Sequence, residues 1–264
     1  MIDAHCHLQS PRIADPAVLI RRARAAGVDG FVLAGVDPKD WDRQVELARI
    51  FPACACSYGL HPQIVPELDD ITCDAVLDEL ARSIRGEGRP KPAALGELGL
   101  DRLTRETERA LPRQERVFRA QLALARESNL PVVLHVLRAQ GRTLEILEAD
   151  GVPEAGGIVH SYSGSAELVD RYVNLGLSIS FSGSVVFERS KKVKAAAARV
   201  PSHALLVETD SPDQTPPPHH PGPNEPAYLP LIVDAVAEAR GAVPAEVATL
   251  ASENARRLFN LART

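Results

Sequence analysis

The chain has 264 residues, 45% of them hydrophobic and 25% charged, with 30 basic against 35 acidic residues for a net charge of -5. A chain of this size and balance can bury a large core as one or two domains, and no run approaches the ~20 apolar residues of a membrane span. The acidic balance argues against a basic face that wraps duplex nucleic acid, but allows an acidic cleft whose sign divalent cations reverse.

Short β-rich apolar runs alternate along the chain with amphipathic or Ala-rich segments. Met1–His5 leads to a helical pattern over Pro16–Ala26, Gly30–Ala34 to Trp41–Phe51, and Ala53–Gly59 to Asp74–Arg85. Ala93–Leu98 leads to Pro112–Ser128, Pro131–Val136 to Gly141–Glu148, and Gly157–Ser161 to Ala166–Leu175. Leu177–Ser182 leads to Lys191–Val200, and Ala204–Thr209 to two closing helices near Ala227–Arg240 and Pro244–Leu258. Strands alternating with helices predict a parallel sheet, and near-continuous apolar strands fit burial on both faces. Eight of them suit an α/β protein with a closed (β/α)8 TIM barrel, a single domain over residues 1–264 with an extra C-terminal helix. An open doubly wound sheet would place a Gly-rich phosphate loop after the first strand, where this chain has His7-Leu8-Gln9-Ser10-Pro11.

Cys6, Cys54, Cys56 and Cys73 have no framework spacing, and Cys54-Ala-Cys56 lacks a second pair to complete a zinc site. Reduced, buried thiols are expected. No basic or apolar leader precedes the first strand, so a cytoplasmic location is expected, with no membrane contact and no obligate protein partner.

In a barrel of this kind the site is built at the C-terminal strand ends. His5 and His7 stand two residues apart on the first strand, which puts both imidazoles on one face. His61, Glu97, His135, His160 and Asp210 fall at later strand ends. Taken singly, each has an ordinary structural reading: a core histidine, an interior ion pair, or a turn cap. Taken together, four imidazoles (His5, His7, His135, His160) and two carboxylates (Glu97, Asp210) make six N/O ligands. That set is too large for one tetrahedral ion and suits two adjacent divalent cations sharing a carboxylate, with zinc, manganese, cobalt or magnesium as candidates.

Ile2-Asp3-Ala4-His5-Cys6-His7, Gly59-Leu60-His61-Pro62 and Gly96-Glu97-Leu98-Gly99-Leu100-Asp101 occur in that order. They are followed by Leu130–His135, Val159–Gly164, Leu206–Pro212 and Asn224-Glu225-Pro226. In these motifs the chain resembles the TatD family of metal-dependent deoxyribonucleases, within the amidohydrolase-like barrels, from residue 2 to about residue 261. The resemblance implies that His5, His7 and Asp210 hold one metal, that His135 and His160 hold a second, and that Glu97 bridges them. Glu97 and Asp210 would be catalytic, Asp210 as base and orienter, and His61 would touch the substrate phosphate or brace the site. It also implies phosphodiester hydrolysis, with 3'-to-5' exonuclease action on single-stranded DNA or strand ends. An amidohydrolase acting on a lactone, amide or aminoacyl ester and a non-enzymatic metal-binding protein are the alternatives.

Two departures bear on substrate. Relatives usually carry Arg two residues after the fifth-strand His, where this chain has Leu137 followed by Arg138. The segment Thr215–His220 is Pro-rich where a basic residue is common, and its His219 and His220 read as an exposed loop pair. Arg189, Lys191, Lys192 and Lys194 after the seventh strand form either a solvated helix face or a phosphate-steering patch. Arg138, Arg189, Lys192, Asn224 and His61 are therefore the substrate-binding candidates. Aromatic content of 4% argues for a short pocket over a long stacking platform, with Tyr162, Phe181 and Phe187 as candidates to stack a base.

Overall fold

In the computed structural model, which describes residues 1–262, the eight apolar runs form strands hydrogen-bonded in chain order. They are β1 Ile2–Cys6, β2 Gly30–Leu33, β3 Cys54–Tyr58, β4 Ala94–Asp101, β5 Val132–Leu137, β6 Gly157–Val159, β7 Leu177–Phe181 and β8 Leu205–Val207. Each pairs parallel with the next. The seam between β8 and β1 closes differently. The Asp210 amide donates to the His5 carbonyl at 3.0 Å, and the His7 amide to the Ser211 carbonyl at 2.7 Å. Lower down, the buried Asp3 carboxylate accepts from the Thr209 amide at 2.9 Å and the Thr209 hydroxyl at 2.5 Å. A side chain thus supplies the acceptors that a ladder would supply elsewhere.

The helices are α1 Pro16–Ala25, α2 Pro38–Ile50, α3 Asp70–Ile84, α4 Arg105–Arg109, α5 Leu111–Ser128, α6 Gln140–Asp150, α7 Ala166–Asn174, α8 Lys191–Arg199, α9 Leu229–Arg240 and α10 Pro244–Phe259. α2 and α3 begin three or four residues before the apolar periodicity does, because Asp37 and Asp69 cap them by accepting from the Asp40 and Thr72 amides, both at 2.8 Å. α4 was not expected from periodicity; a reciprocal Thr104–Thr107 capping box starts it. α9 begins at Leu229 because Pro226–Tyr228 is a single 3-10 turn.

Most of the core lies between the strands and the surrounding helices. A separate cluster fills the barrel's N-terminal end, where Ile2, Ala4, Val32, Ala94, Val133, Ile158 and Leu206 meet Ala255 and Phe259 of α10. The additional C-terminal helix is therefore the barrel floor. Its Asn254 side chain donates to the Ser202 and Leu205 carbonyls at 2.8 and 2.9 Å. With that end sealed, the polar strand residues gather at the opposite mouth. Among the described residues, no helix is long and apolar enough to cross a membrane.

Candidate metal centre

Glu97 stands inside β4, buried, between Gly96 and the Leu98-Gly99 pair. Its strand is crowded on both sides: a Cβ at Gly59 would lie 2.6 Å from the Glu97 carbonyl oxygen, and one at Gly99 would lie 2.1 Å from the His135 carbonyl oxygen. Gly99 also has a φ of +141°, which side chains rarely tolerate. These glycines let β3 and β5 close in on β4, so that imidazoles from both sides reach one carboxylate.

The two oxygens of Glu97 face two different groups. Oε1 lies 3.6 Å from His5 Nε2 and 3.3 Å from His7 Nε2. Asp210 Oδ1 completes that side, 3.5 Å from each of the same two nitrogens. Oε2 lies 2.8 Å from His160 Nε2, 3.4 Å from His135 Nδ1 and 3.3 Å from His61 Nε2. The structure thus brings His5, His7, Glu97, His135, His160 and Asp210 into one cup, with His61 at its edge.

The first group fits a cation on geometry. Two donors each ~2.1 Å from one tetrahedral ion lie about 3.4 Å apart, which is the spacing seen on the His5–His7–Asp210 side. Among the described residues His5 Nε2 and Glu97 Oε1 are buried with no hydrogen-bond partner. Such atoms cost about 1–3 kcal/mol each unless something satisfies them, and a divalent cation would satisfy both.

The second group is oriented from behind. His135 Nε2 bonds Asp101 Oδ2 at 3.0 Å, which leaves Nδ1 to face the cup. Asp101 is itself fixed by the Gln63 side chain at 2.8 Å and the Leu103 amide at 2.7 Å. Burial alone would raise the Asp101 pKa, but these bonds hold it down at about 2. Glu208, fully buried, approaches His160 Nδ1 at 3.5 Å and accepts from the Ser161 amide at 2.5 Å. Neither carboxylate was singled out as functional from the sequence. A signal existed for Asp101, which stands four residues after the candidate ligand Glu97 on the same strand and so at the same parity; Glu208 lies past the end of β8, where alternation gives no guide.

His61 behaves unlike the other imidazoles. Its Nδ1 accepts from the Gln63 amide at 3.0 Å, so in the neutral ring the proton sits on Nε2. Burial lowers its pKa, against the opposing pull of Glu97. It is a donor aimed into the cup, where His135 offers a lone pair.

Charge balance accounts for the remaining titration behaviour. Burial would raise Glu97, but His61, His160 and His5 pull it well below the usual carboxylate range. Burial would likewise raise Asp210, and His5 and His7 hold it far down. Burial would lower His7, yet Asp210 and Glu97 raise it to about 9, and His135 and His160 are raised for similar reasons. In the metal-free cup, protons on imidazoles serve as counter-charge to the carboxylates, and cations must displace them.

The cup opens into a cavity of about 670 Å³ lined also by Arg12, Asp40, Arg43, Gln63 and Leu137. The other substrate candidates separate. Leu137, and not Arg138, lines this cavity; Arg138 is exposed on the turn after β5 with a φ of +55°. Lys192 is exposed on α8, outside the cavity lining. Asn224 is buried and occupied with the chain itself: its Nδ2 donates to the Thr209 and Asp213 carbonyls, both at 2.7 Å, and its Oδ1 accepts from the Glu225 amide. It clamps the loop that carries Asp210. Arg189 lines a neighbouring cavity, with Phe187 and His220. Tyr162 and Phe181, expected as base-stacking candidates, are instead buried in the core.

The family model described as TatD related DNase matches residues 2–260. A metal-dependent hydrolase of Bacillus subtilis, YabD, is 33% identical over 99% of both chains. A Pantoea vagans protein named as a 3'-5' ssDNA/RNA exonuclease, TatD, is 35% identical, covering 99% of this chain and all of its own. The crystal structure of the TatD homologue YjjV from Escherichia coli superposes with a TM-score of 0.91 at 29% identity, over 99% of this chain and 98% of that one.

Proposed function

We propose that this chain, which belongs to the TatD-related DNase family of metal-dependent hydrolases, works as a single barrel domain that removes nucleotides from the 3' end of single-stranded DNA in the cytoplasm. The observation that carries the reading is the split of Glu97, one oxygen toward His5, His7 and Asp210, the other toward His135 and His160. Those six residues would hold two divalent cations. When bound, such a pair offsets the charge on phosphoryl oxygens and lowers the pKa of an attacking water. The single-strand preference and polarity follow the name carried by the Pantoea relative. Buried free thiols at Cys6, Cys54 and Cys73 suit a reducing compartment.

The protein's own groups divide the work. Asp210, held by His5 and His7, takes the proton from the water that attacks phosphorus. His61 donates its Nε2 proton to a phosphoryl oxygen, a role for which its tautomer suits it better than metal binding. Asp101 keeps His135 facing inward through its bond to Nε2, and the Glu208 carboxylate lies 3.5 Å behind His160 as a counter-charge. The buried cup excludes bulk water from all but its cavity side, which strengthens each of these interactions.

The test uses purified protein with Mg, Mn or Zn and a 5'-labelled single strand. A ladder shortening from the 3' end, lost in Glu97→Gln, is the expected result. Turnover of lactone or amide panels with none on DNA or RNA would overturn the reading.

A further inference from the structure

Beside the metal cup lies a second cavity of about 570 Å³, a size typical of small-molecule sites. The two cavities share Arg12, Asp213 and Gln214 in their walls. Its other features are an aromatic ring and cations. The Arg189 guanidinium sits 5.3 Å from the centre of the half-buried Phe187 ring, and His220 meets that ring edge-on at 5.7 Å. Arg12 forms a paired contact with Asp213 at the junction, and a guanidinium has more donors than Asp213 takes.

The wall between the cavities is built rigidly. Gly183, four residues before Phe187, packs so closely on the next loop that a Cβ there would lie 1.8 Å from the Gln214 carbonyl oxygen. The Gln214 side chain bonds the Ser161 hydroxyl, accepts from the Ser182 hydroxyl at 3.2 Å, and those two hydroxyls bond each other at 2.8 Å. The backbone carrying Phe187 is therefore tied to the loop carrying Asp210. The second cavity thus sets an aromatic ring beside the metal cup, with the Arg12 guanidinium lining both cavities, and these are the two kinds of group that a base and its phosphate would contact.

We infer that the second cavity is a nucleotide subsite, seating the base next to the scissile phosphate on the Phe187–Arg189 pair and the adjoining phosphate on Arg12. This rests on the phosphodiesterase reading above. The base must be unpaired, since stacking on Phe187 requires a free ring face. Chemical sequence is not read, because any base offers such a face.

The test compares a ten-residue oligothymidylate with bis(4-nitrophenyl) phosphate, which has no base, on the metal-loaded enzyme. Phe187→Ala should lower the ratio of kcat/KM for the strand over that for the small diester about tenfold. Phe187→Trp, which keeps a ring, should retain the ratio, and Arg12→Gln should lower it in a salt-sensitive way. Direct binding of a 2-aminopurine-labelled strand gives a readout independent of turnover, with Phe187→Ala weakening Kd by a similar factor. Strand binding without cleavage of either substrate would defeat the hydrolytic reading and leave the subsite standing. An unchanged ratio and Kd in Phe187→Ala, or no strand binding by the wild-type protein, would overturn the subsite.

Discussion

The two halves of the cup are built on different terms. On the His5–His7–Asp210 side the donors are spaced at 3.3–3.6 Å around atoms without hydrogen-bond partners. On the His135–His160 side they close onto one another, His160 to Glu97 at 2.8 Å and His135 to His160 at 3.1 Å. The first half is already at ligand spacing, whereas the second is a hydrogen-bonded set that must open slightly to admit a cation. Support differs as well. His135 has a carboxylate hydrogen-bonded behind it, whereas His5 stacks on the His160 ring at 4.0 Å, and the Nδ1 atoms of His5 and His160 are both unpartnered among the described residues. Preorganisation reduces the cost of binding, so the first half should fill at lower metal concentration than the second.

Glu97→Ala tests the element both halves share and should have the largest effect. Metal content should fall below one equivalent, and kcat should drop by about 10³-fold or more, since a cation's contribution of several kcal/mol is lost at ~1.4 kcal/mol per decade. Elemental analysis beside a strand-cleavage assay measures both. A variant keeping two equivalents of metal would break the bridging assignment.

Two substitutions outside the cup should then separate the halves. Asp101→Ala frees the back of His135 and should weaken the second cation ~10–100-fold, with Asp101→Asn losing less because its amide oxygen still accepts from Nε2. Asn224→Ala unclamps the Asp210 loop and should weaken the first cation instead, with a stability loss of about 1–3 kcal/mol from backbone groups left without partners. Titration calorimetry resolving two binding steps would show each variant moving a different step. Both moving the same step would erase the distinction between the halves.

Proton competition gives a smaller, graded effect. The carboxylates Glu97 and Asp210 are depressed from ordinary values of 4.5 and 3.8, so their stabilising contribution is present above those values and lost on acidification through their folded values. His7 is raised from 6.5 to about 9, so its contribution is complete below pH 6.5 and lost as pH rises toward 9. In the metal-free protein these three groups should therefore stabilise most between about pH 4.5 and 6.5, while Asp3, raised by burial from 3.8 to about 7, loses its contribution as pH climbs through that range and favours its lower end; thermal melts across pH measure the balance. Cation binding should release protons and weaken as pH falls, which calorimetry in buffers of different ionisation enthalpy would detect.

Much of this was legible in the sequence because it depends on local pattern. The strands read as apolar runs, and His5 with His7 read as one face by the period of two. The candidate ligands at 97, 135, 160 and 210 stood out as polar groups at the ends of apolar strands. What stayed hidden depends on direction and on partners. A buried carboxylate that touches metal and one that braces a histidine look alike in sequence, so Asp101 and Glu208 went unassigned. Asn224 looked like a substrate contact because nothing in its neighbours shows that backbone groups consume its amide. Tyr162 and Phe181 sit near strand ends, as Phe187 does, but only the fold shows which rings turn inward.

Arg138 is the sharpest small test of that last point. Sequence register makes it the displaced counterpart of a phosphate-binding Arg, while its exposed position beyond Leu137 removes it from the cup. An exposed cation interacting through solvent is worth ~0–1 kcal/mol, so Arg138→Ala should change KM for a single strand by less than about threefold. Leu137→Arg, by contrast, introduces a cation into the cavity wall and should lower KM for the strand with a steeper salt dependence. A tenfold rise in KM for Arg138→Ala would mean that the turn after β5 rearranges when substrate enters, bringing the side chain onto the His135–His160 half and adding a phosphate contact beside that of His61.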